Sequence, residues 1–235
     1  MSSAVRHTSL KTLAADKITA DITNEDLLPF VALPKNYLII KQAFDILFSF
    51  SAILLLCWLL PIIAMAIKLD SKGPVFFRQK RIGRNGRVFA CIKFRTMRLN
   101  DEADEKQAET NDERITATGK FLRLTNMDEL PQLYNVLIGD MSIVGPRPHM
   151  VSDCIRFSFI IPSYSFRNLV RPGITGWAQV NGHHGPTIDY ESVTNRYYWD
   201  AKYIREINVW LDIKIFLKTI WRVIGYPGKI LKTIL

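Results

Sequence analysis

The sequence has little cysteine and shows none of the patterns in which cysteine builds a fold. Its 235 residues include three cysteines, Cys57, Cys91 and Cys154, which are widely spaced and form no Cys-x-x-Cys pair. An odd, scattered set supports neither a disulfide framework nor a zinc ribbon. Internal repeats and low-complexity tracts are also missing, and the 48% apolar content excludes disordered, collagenous and coiled-coil proteins. We therefore expect a packed core in a reducing compartment.

Acidic residues are missing from a long part of the chain. The 31 basic and 22 acidic residues leave a net charge of +9, and residues 71–100 carry nine basic side chains and no acidic one. This excess indicates an anionic partner, which could be nucleic acid, phospholipid headgroups or a phosphorylated substrate. Headgroup contact is the default interpretation because an apolar segment precedes the basic stretch, and phosphate binding is the sharper hypothesis. Residues 101–113 carry seven acidic side chains and predict a solvated loop or helix face.

Charge of either sign is absent from the 22 residues Ile46–Ile67. As a helix this run would reach about 33 Å, long enough to enter a bilayer, and it is too long and too late in the chain for a cleaved signal peptide. Pro61 predicts a kink. A straight span would place the preceding polar arm outside the cell, whereas a re-entrant hairpin would leave both ends inside. A buried core helix of a soluble protein is the third, less favoured, interpretation.

Two further segments have clear periodicity. Apolar, β-prone runs flank Gly83, Asn85 and Gly86, which predicts a β-hairpin. Apolar residues then recur at helical spacing from about Val193 to Ile224, which predicts a helix. Aromatic and lysine side chains accompany this helix, and the final 23 residues contain no acidic residue. Such a composition suits the bilayer interface, and a core-packing stripe with a solvated basic face is equally open.

Adjacent carboxylates at Asp128 and Glu129 are the first candidate for chemistry. Asn126 stands three residues before Glu129, which predicts a capping box and places both acids in the first turn of a helix. Helix capping alone could explain them. A carboxylate that attacks phosphorus must instead be ionised and close to a phosphate whose charge is neutralised. Glu129, as a hard oxygen donor, could hold Mg²⁺ there. The candidate phosphate-binding cations are Lys93, Arg95, Arg123, Arg147 and Arg171.

Two turn-rich stretches follow the acid pair. Pro146 and Pro148 restrict the backbone on either side of Arg147. The stretch RPGITGWAQVNG, residues 171–182, has three glycines, which suits a tight turn where a ligand approaches the backbone. A plain turn-rich connection is the alternative. His183 and His184 have no Cys or His partner at ligand spacing, and we interpret them as loop residues.

These motifs, in this order, resemble the bacterial sugar transferase family, the monotopic polyprenyl-phosphate phosphoglycosyl transferases. The resemblance runs roughly from Lys41 to Ile224, and the motifs that carry it are FDI, GPVFFRQKRIGRNG, IKFRTM, DELPQL, GDMSIVGPRP, RPGITGWAQVNG and LDIKI. It implies the transfer of a sugar-1-phosphate from a UDP-sugar to undecaprenyl phosphate, in exopolysaccharide or related glycan synthesis. It further implies that an aspartate attacks the β-phosphate, expels UMP and carries the phosphosugar covalently until the lipid takes it.

The resemblance also implies roles for particular residues. Asp128 corresponds to the nucleophile and Glu129 to the Mg²⁺ ligand, and Lys93, Arg123 and Arg147 match basic positions near the substrate phosphates. The nucleotide-sugar site is expected at Gly145, Pro146, Pro148, Gln179 and Asn181. The family's membrane element is a re-entrant helix broken near its middle, with both ends cytoplasmic, which agrees with Pro61.

The sequence departs from the family pattern in three places. Leu60 stands where members often have serine before the membrane proline, which weakens the hairpin assignment. Asn126 and Met127 replace a common Ser-Leu pair. The run after Gly182 reads His-His-Gly-Pro-Thr, whereas members that transfer glucose phosphate often have Trp-Arg-Gly-Glu-Thr. The sugar is therefore open, with a hexose such as glucose or galactose preferred.

The combined prediction is a predominantly helical α+β, monotopic protein of the bacterial inner membrane. It divides into a polar, mobile arm (1–36), a membrane-inserted helical hairpin broken at Pro61 (37–70) and a cytoplasmic catalytic domain that ends in an interfacial helix (71–235). The predicted partners are a UDP-sugar, undecaprenyl phosphate and membrane lipids; a homodimer is allowed and nucleic acid is not expected. A polybasic membrane adaptor or nucleic-acid-binding protein and a hydrolase of UDP-sugars remain as other functions.

Overall fold

The computed structural model describes residues 33–99, 112–185 and 189–224. Its helices are α1 (Lys35–Leu56), α2 (Leu59–Asp70), α3 (Ala117–Leu124), α4 (Gln132–Leu137), α5 (Val151–Ile160), α6 (Trp177–Val180), α7 (Tyr190–Glu206) and α8 (Val209–Ile224). Its strands are β1 (Phe76–Ile82), β2 (Val88–Phe94), β3 (Ser142–Val144) and β4 (Gly173–Thr175). The prediction of a predominantly helical protein with a small sheet is confirmed. The predicted arm and acidic run lie almost entirely outside these ranges.

The apolar segment forms two helices instead of one. Helix α1 ends at Leu56 and α2 begins at Leu59. Pro61 has no N–H to donate to the carbonyl of Cys57 four residues earlier, so the interruption falls one turn before the proline, as expected. Cys57 and Trp58 both keep right-handed helical dihedral angles. The two helices are therefore separated by a kink, and not by a turn with extended or left-handed residues.

Among the residues that the structure covers, α1 is the one helix long and apolar enough to cross a membrane. It has 22 residues, its most apolar part has a mean hydropathy of 1.8, and only 11% of that part is buried. The large apolar side chains that α1, α2 and the link between them leave exposed include Leu47, Phe50, Leu54, Leu55, Trp58, Ile62, Met65 and Leu69. This apolar surface is unlike that of an ordinary core helix.

The opposite face of α1 is attached to the rest of the protein by polar contacts. The buried carboxylate of Asp45 accepts hydrogen bonds from the Ile143 backbone N–H at 2.9 Å and from the Ser142 hydroxyl at 3.0 Å. One turn earlier, Lys41 Nζ lies 2.8 Å from Asp212 Oδ2 at the start of α8. The first turns of α1 are therefore packed on β3 and α8, although the sequence analysis placed residues from 37 onward in the membrane element.

Two small sheets build the part of the protein that holds the acid pair. Strands β1 and β2 pair antiparallel from Phe76 opposite Phe94 to Ile82 opposite Val88, which confirms the predicted hairpin. Strands β3 and β4 pair in parallel. A Cβ on Gly173 would lie 2.1 Å from the Gly145 nitrogen, so these two backbones can meet only because glycine is present. Close packing of two chain segments explains these two glycines.

The predicted C-terminal helix is divided, which corrects the prediction of one helix from Val193 to Ile224. Helix α7 ends at Glu206, and α8 begins at Val209. The Asn208 side chain accepts a hydrogen bond from the Leu211 N–H at 2.9 Å, the contact of an N-cap residue. Helix α8 buries Leu211 and Ile215, and it exposes Trp210 and Trp221. It therefore has both a core-packing face and an exposed aromatic face.

Candidate active site

The acid pair lies in a single 3₁₀ turn, Met127–Glu129, between α3 and α4. The predicted capping box is wrong, because Asn126 has a φ of 56° in the left-handed region and its side chain makes no capping bond. Asparagine tolerates this conformation better than most residues, so the chain can turn sharply before the acids. The Glu129 side chain is consequently available for contacts outside its own turn.

Glu129 is held by two cations from distant parts of the chain. Its Oε1 atom lies 2.6 Å from Lys93 Nζ on β2 and 2.5 Å from Arg147 Nη2, and its Oε2 atom lies 3.2 Å from Arg147 Nη1. Burial would raise the pKa of Glu129, but the charges of Arg147 and Lys93 outweigh it and hold this pKa far below its usual range. Glu129 is therefore ionised, and it joins β2 to the loop that carries Arg147.

Asp128 is buried but has no such partners. The nearest cation is Lys93, whose Nζ atom lies 3.9 Å from Oδ2 of Asp128. Among the residues that the structure describes, none forms a hydrogen bond with the Asp128 carboxylate. Burial raises the pKa of Asp128, and the negative charge of Glu129 adds to this, whereas Lys93, Arg123 and Arg147 oppose it. Of the two acids, Asp128 is thus the one without a close ion pair or hydrogen bond among the described residues.

Arg123 and the backbone of Arg147 are held in place by hydrogen bonds to neighbouring residues. Arg123 Nε donates to Thr96 Oγ1 at 2.8 Å. Burial lowers the pKa of Arg123, and Asp128 counters that effect. The backbone carbonyl of Arg147 accepts a hydrogen bond from Arg167 Nη2 at 2.7 Å. The structure therefore places Lys93 and Arg147 in contact with Glu129, and Arg123 close enough for the charge of Asp128 to act on it.

Two predicted phosphate-binding residues make their contacts elsewhere. The guanidinium of Arg95 donates to the backbone carbonyls of Ser71 and Lys72, at 2.7 and 2.5 Å, and so holds the chain just after α2. Arg171 lines a separate cavity at the start of α1 together with Lys41 and Asp45. The geometry gives neither arginine a contact with the acid pair.

The predicted nucleotide-sugar residues fall into two groups. Gly145, Pro146 and Pro148 flank Arg147, and the Pro146 carbonyl accepts a hydrogen bond from the Gly173 N–H at 2.9 Å. The Gln179 side chain donates to the Ile174 carbonyl at 3.0 Å, and Asn181 Nδ2 donates to the Trp177 carbonyl at 2.9 Å. The first group borders the acid pair through Arg147, and the second stabilises the α6 turn.

Sequence reasoning missed a buried ion pair behind Arg147. Arg167 Nη2 lies 2.7 Å from Asp200 Oδ2, with side chains only 2% and 1% exposed. The same guanidinium holds the Arg147 carbonyl. Arg167 and Asp200 are 33 positions apart in the chain, so their spacing gives no signal of the pair.

The acid pair is the site with the donor atoms that Mg²⁺ prefers. Within the part of the chain that the structure covers, no group of three or more His, Cys, Asp or Glu side chains could hold a metal ion. Asp128 and Glu129 supply carboxylate oxygens, and Mg²⁺ commonly uses one or two carboxylates with substrate phosphates and water. A metal ion held by Glu129, the predicted ligand, would share the carboxylate oxygens with Lys93 and Arg147.

A buried carboxylate with cations around it has the charge arrangement that suits phosphate chemistry. Residues 36–226 match the profile of the family described as "Bacterial sugar transferase". The chain belongs to this family, and the resemblance drawn from the motifs is confirmed.

Named relatives give more detail. The chain is 46% identical over 193 residues to a UDP-glucose:undecaprenyl-phosphate glucose-1-phosphate transferase of Xanthomonas campestris pv. campestris, covering 81% of this chain and 40% of that protein. It is 42% identical over 205 residues to a UDP-N-acetylgalactosamine-undecaprenyl-phosphate N-acetylgalactosaminephosphotransferase of Aeromonas hydrophila, covering 87% and 48%. Over 188 residues it is 43% identical to "Exopolysaccharide production protein PSS" of Rhizobium leguminosarum bv. phaseoli, covering 78% and 94%. The chain thus spans less than half the length of the first two relatives.

Proposed function

We propose that the protein transfers a sugar-1-phosphate from a UDP-sugar to undecaprenyl phosphate through a covalent intermediate on Asp128, with release of UMP. The observation that carries this proposal is the difference between the two neighbouring acids. Glu129 is bound by Lys93 and Arg147, whereas among the described residues the Asp128 carboxylate has one cation within 4.0 Å, Lys93 at 3.9 Å. The names of two relatives support the same donor and acceptor classes. A third relative is named as an exopolysaccharide production protein.

In the first proposed step an Asp128 oxygen attacks the β-phosphorus of the UDP-sugar. A bond forms between that oxygen and phosphorus, the bond from phosphorus to the bridging oxygen breaks, and UMP leaves with the electron pair. Lys93, Arg123 and Arg147 neutralise the charge of the diphosphate, which would otherwise repel a carboxylate. Glu129 contributes by holding Lys93 and Arg147 in fixed positions beside the nucleophile.

In the second proposed step an oxygen of undecaprenyl phosphate attacks the same phosphorus. The acyl phosphate bond breaks, Asp128 is regenerated, and the sugar leaves on a lipid diphosphate with its own C–O bond intact. Mg²⁺, when bound, would neutralise negative charge on the diphosphate, and the carboxylate of Glu129 would hold it. Glucose is the donor sugar to test first, since the relative from Xanthomonas is named for it.

The proposal includes a position at the bacterial inner membrane, with the active site on the cytoplasmic face. Helices α1 and α2 would form a re-entrant element, because they are kinked before Pro61 and expose apolar side chains. The exposed Trp210 and Trp221 of α8 would lie at the interface, where aromatic rings are favoured. This arrangement would bring a lipid-borne phosphate and a water-soluble nucleotide sugar to the same carboxylate.

The experiment that tests this function is UMP release from a panel of UDP-sugars by detergent-purified protein, with and without Mg²⁺ and undecaprenyl phosphate. We expect release with one hexose donor, dependent on Mg²⁺, and continuing past one equivalent only when the lipid is present. Continued release without the lipid would show hydrolysis by water instead. Absence of release with every donor would contradict the proposed transfer by this chain.

The pH dependence of transfer provides a further prediction. Because burial raises the pKa of Asp128 above its ordinary value of 3.8, the proton should bind to the nucleophile at a higher pH than in an exposed aspartate. Single-turnover UMP release should therefore fall, as the pH is lowered, through a value above 3.8, while the ion pairs of Glu129 persist. Circular dichroism over the same pH range controls for unfolding. A loss of activity only at or below 3.8 would contradict the prediction.

A further inference from the structure

Four arginines, two of them buried, lie around His149 next to the candidate active site. Burial lowers the pKa of His149, and four nearby guanidinium groups lower it further. They belong to Arg81, Arg147, Arg167 and Arg196. Arg147 and Arg167 each pair with a carboxylate, and Arg81 donates to the Gln79 side chain and the Pro148 carbonyl. Arg196 differs from these three in having a buried Nε atom that finds no hydrogen-bond partner among the described residues.

Arg196 has no carboxylate within 4.0 Å among the residues that the structure covers, although it is only 6% exposed. Its Nη2 atom donates to the Gly185 carbonyl, and its Nη1 atom lies 3.4 Å from Nε2 of His149. Its Nε atom is buried and has no hydrogen-bond partner in the described ranges. A permanent positive charge is thus buried with two neutral partners and one unused donor.

Such an arrangement is costly in the free protein. Burial and the like charge of Arg147 lower the pKa of Arg196 to about 10, although the charge of Asp200, which is already paired with Arg167, partly opposes them. A buried charge without a counter-ion is strongly destabilising, and surplus charge of this kind is concentrated at functional sites, where a ligand supplies the opposite charge. The missing counter-ion should therefore be an anion that enters near Arg147, whose side chain is 27% exposed.

We propose that Arg196 and Arg147 together bind a phosphate group, so that Arg196 is a substrate-binding residue of this site. The planar guanidinium offers paired donors that match phosphate oxygens, and two arginines acting on one phosphate can neutralise its full charge. The identity of the ligand rests on the proposed function: the phosphate belongs either to the nucleotide sugar or to undecaprenyl phosphate. Arg196 lies 49 residues after Arg147 in the chain, and its place beside Arg147 comes from the packing of α7.

The test is a binding measurement that needs no turnover. Detergent-purified full-length protein is titrated with UDP and, separately, with undecaprenyl phosphate, in the wild type and in Arg196→Gln. We expect the Kd for one of these ligands to rise by at least about tenfold, the loss of one charge-assisted contact. Arg205→Gln is the matched control, because Arg205 is on the same helix and exposed, and its Kd values should stay within about twofold of the wild type.

The two ligands distinguish the two sources of phosphate. A weaker affinity for UDP alone assigns Arg196 to the donor, and a weaker affinity for undecaprenyl phosphate alone assigns it to the acceptor; both results support the proposal. Unchanged affinity for both ligands in a folded Arg196→Gln protein overturns it. If that variant does not fold, Arg196→Lys decides, because it keeps the charge and loses the planar fork. Its Kd should rise by about threefold or more, and an unchanged Kd for both ligands contradicts the proposal.

This outcome is separable from that of the proposed function. Affinity for UDP that depends on Arg196, in a protein that never releases UMP, would support the phosphate site and contradict the transfer reaction. Transfer that proceeds normally while Arg196→Gln binds both ligands like the wild type would support the reaction and overturn the phosphate site.

Discussion

Replacing Asp128 with asparagine is expected to abolish sugar-phosphate transfer, with UMP release at least about a thousandfold slower than in the wild type. The substitution keeps the size of the side chain but removes the negative charge and the nucleophilic oxygen. Stability should not fall, because the Asp128 carboxylate has no hydrogen bond in the described ranges and its charge is buried. UMP release and mass spectrometry of the intact chain are the measurements.

Mass spectrometry separates a nucleophile from a residue that only supports the site. With the donor and without lipid, the wild-type chain should gain the mass of one phosphosugar, and Asp128→Asn should gain none. Asp189→Asn is a suitable control, since Asp189 is an exposed helix cap and asparagine is an equally good cap. An Asp128→Asn protein that still acquires the phosphosugar would remove Asp128 from the nucleophile role.

The second large effect is expected at Asp200, which lies behind the site. Asp200→Ala leaves the guanidinium of Arg167 buried without its carboxylate, and breaking a buried pair in this way costs about 3–5 kcal/mol. The free energy of unfolding, measured with denaturant in detergent, should fall by that amount. Because Arg167 also holds the Arg147 carbonyl, transfer by the folded fraction should slow as well.

Two further variants make this stability prediction specific. Glu206→Ala, an exposed carboxylate on the same helix, should change the free energy of unfolding by no more than about 0.5 kcal/mol. The double variant Arg167→Met with Asp200→Leu removes both charges and should recover much of the lost stability. If Asp200→Ala were as stable as Glu206→Ala, the pair would not contribute to folding.

Local features of the fold could be predicted well because their causes are local. The β1–β2 hairpin follows from two β-prone runs and from Asn85 and Gly86, which take positive φ angles in the connecting turn. The helix interruption before Pro61 follows from the missing N–H of proline. Where two local signals competed, prediction was poorer: Asn126 was interpreted as a helix cap and instead takes a left-handed turn, and the cap at Asn208 was missed.

Contacts between distant residues were harder to anticipate. Arg95 and Arg147 are both arginines in motif-rich stretches, yet one holds backbone carbonyls after α2 and the other holds Glu129. Nothing in the spacing of either residue distinguishes these roles. Glycine-rich composition around Gly173 is compatible with the approach of a ligand or with a plain turn, and the structure shows at Gly173 itself the approach of the backbone at Gly145.

By itself the sequence determined the helical and hairpin elements, the apolar segment, the adjacent acids and the family, because these depend on composition, periodicity and motif order. Only the tertiary structure decided which of the two acids is tightly paired with cations. Glu129 is neutralised by Lys93, 36 residues before it, and by Arg147, 18 residues after it. Ion pairing depends on distance in space, which folding sets and sequence spacing does not. For the same reason the unpaired charge of Arg196 could be recognised only once α7 was packed against the loop that carries Arg147.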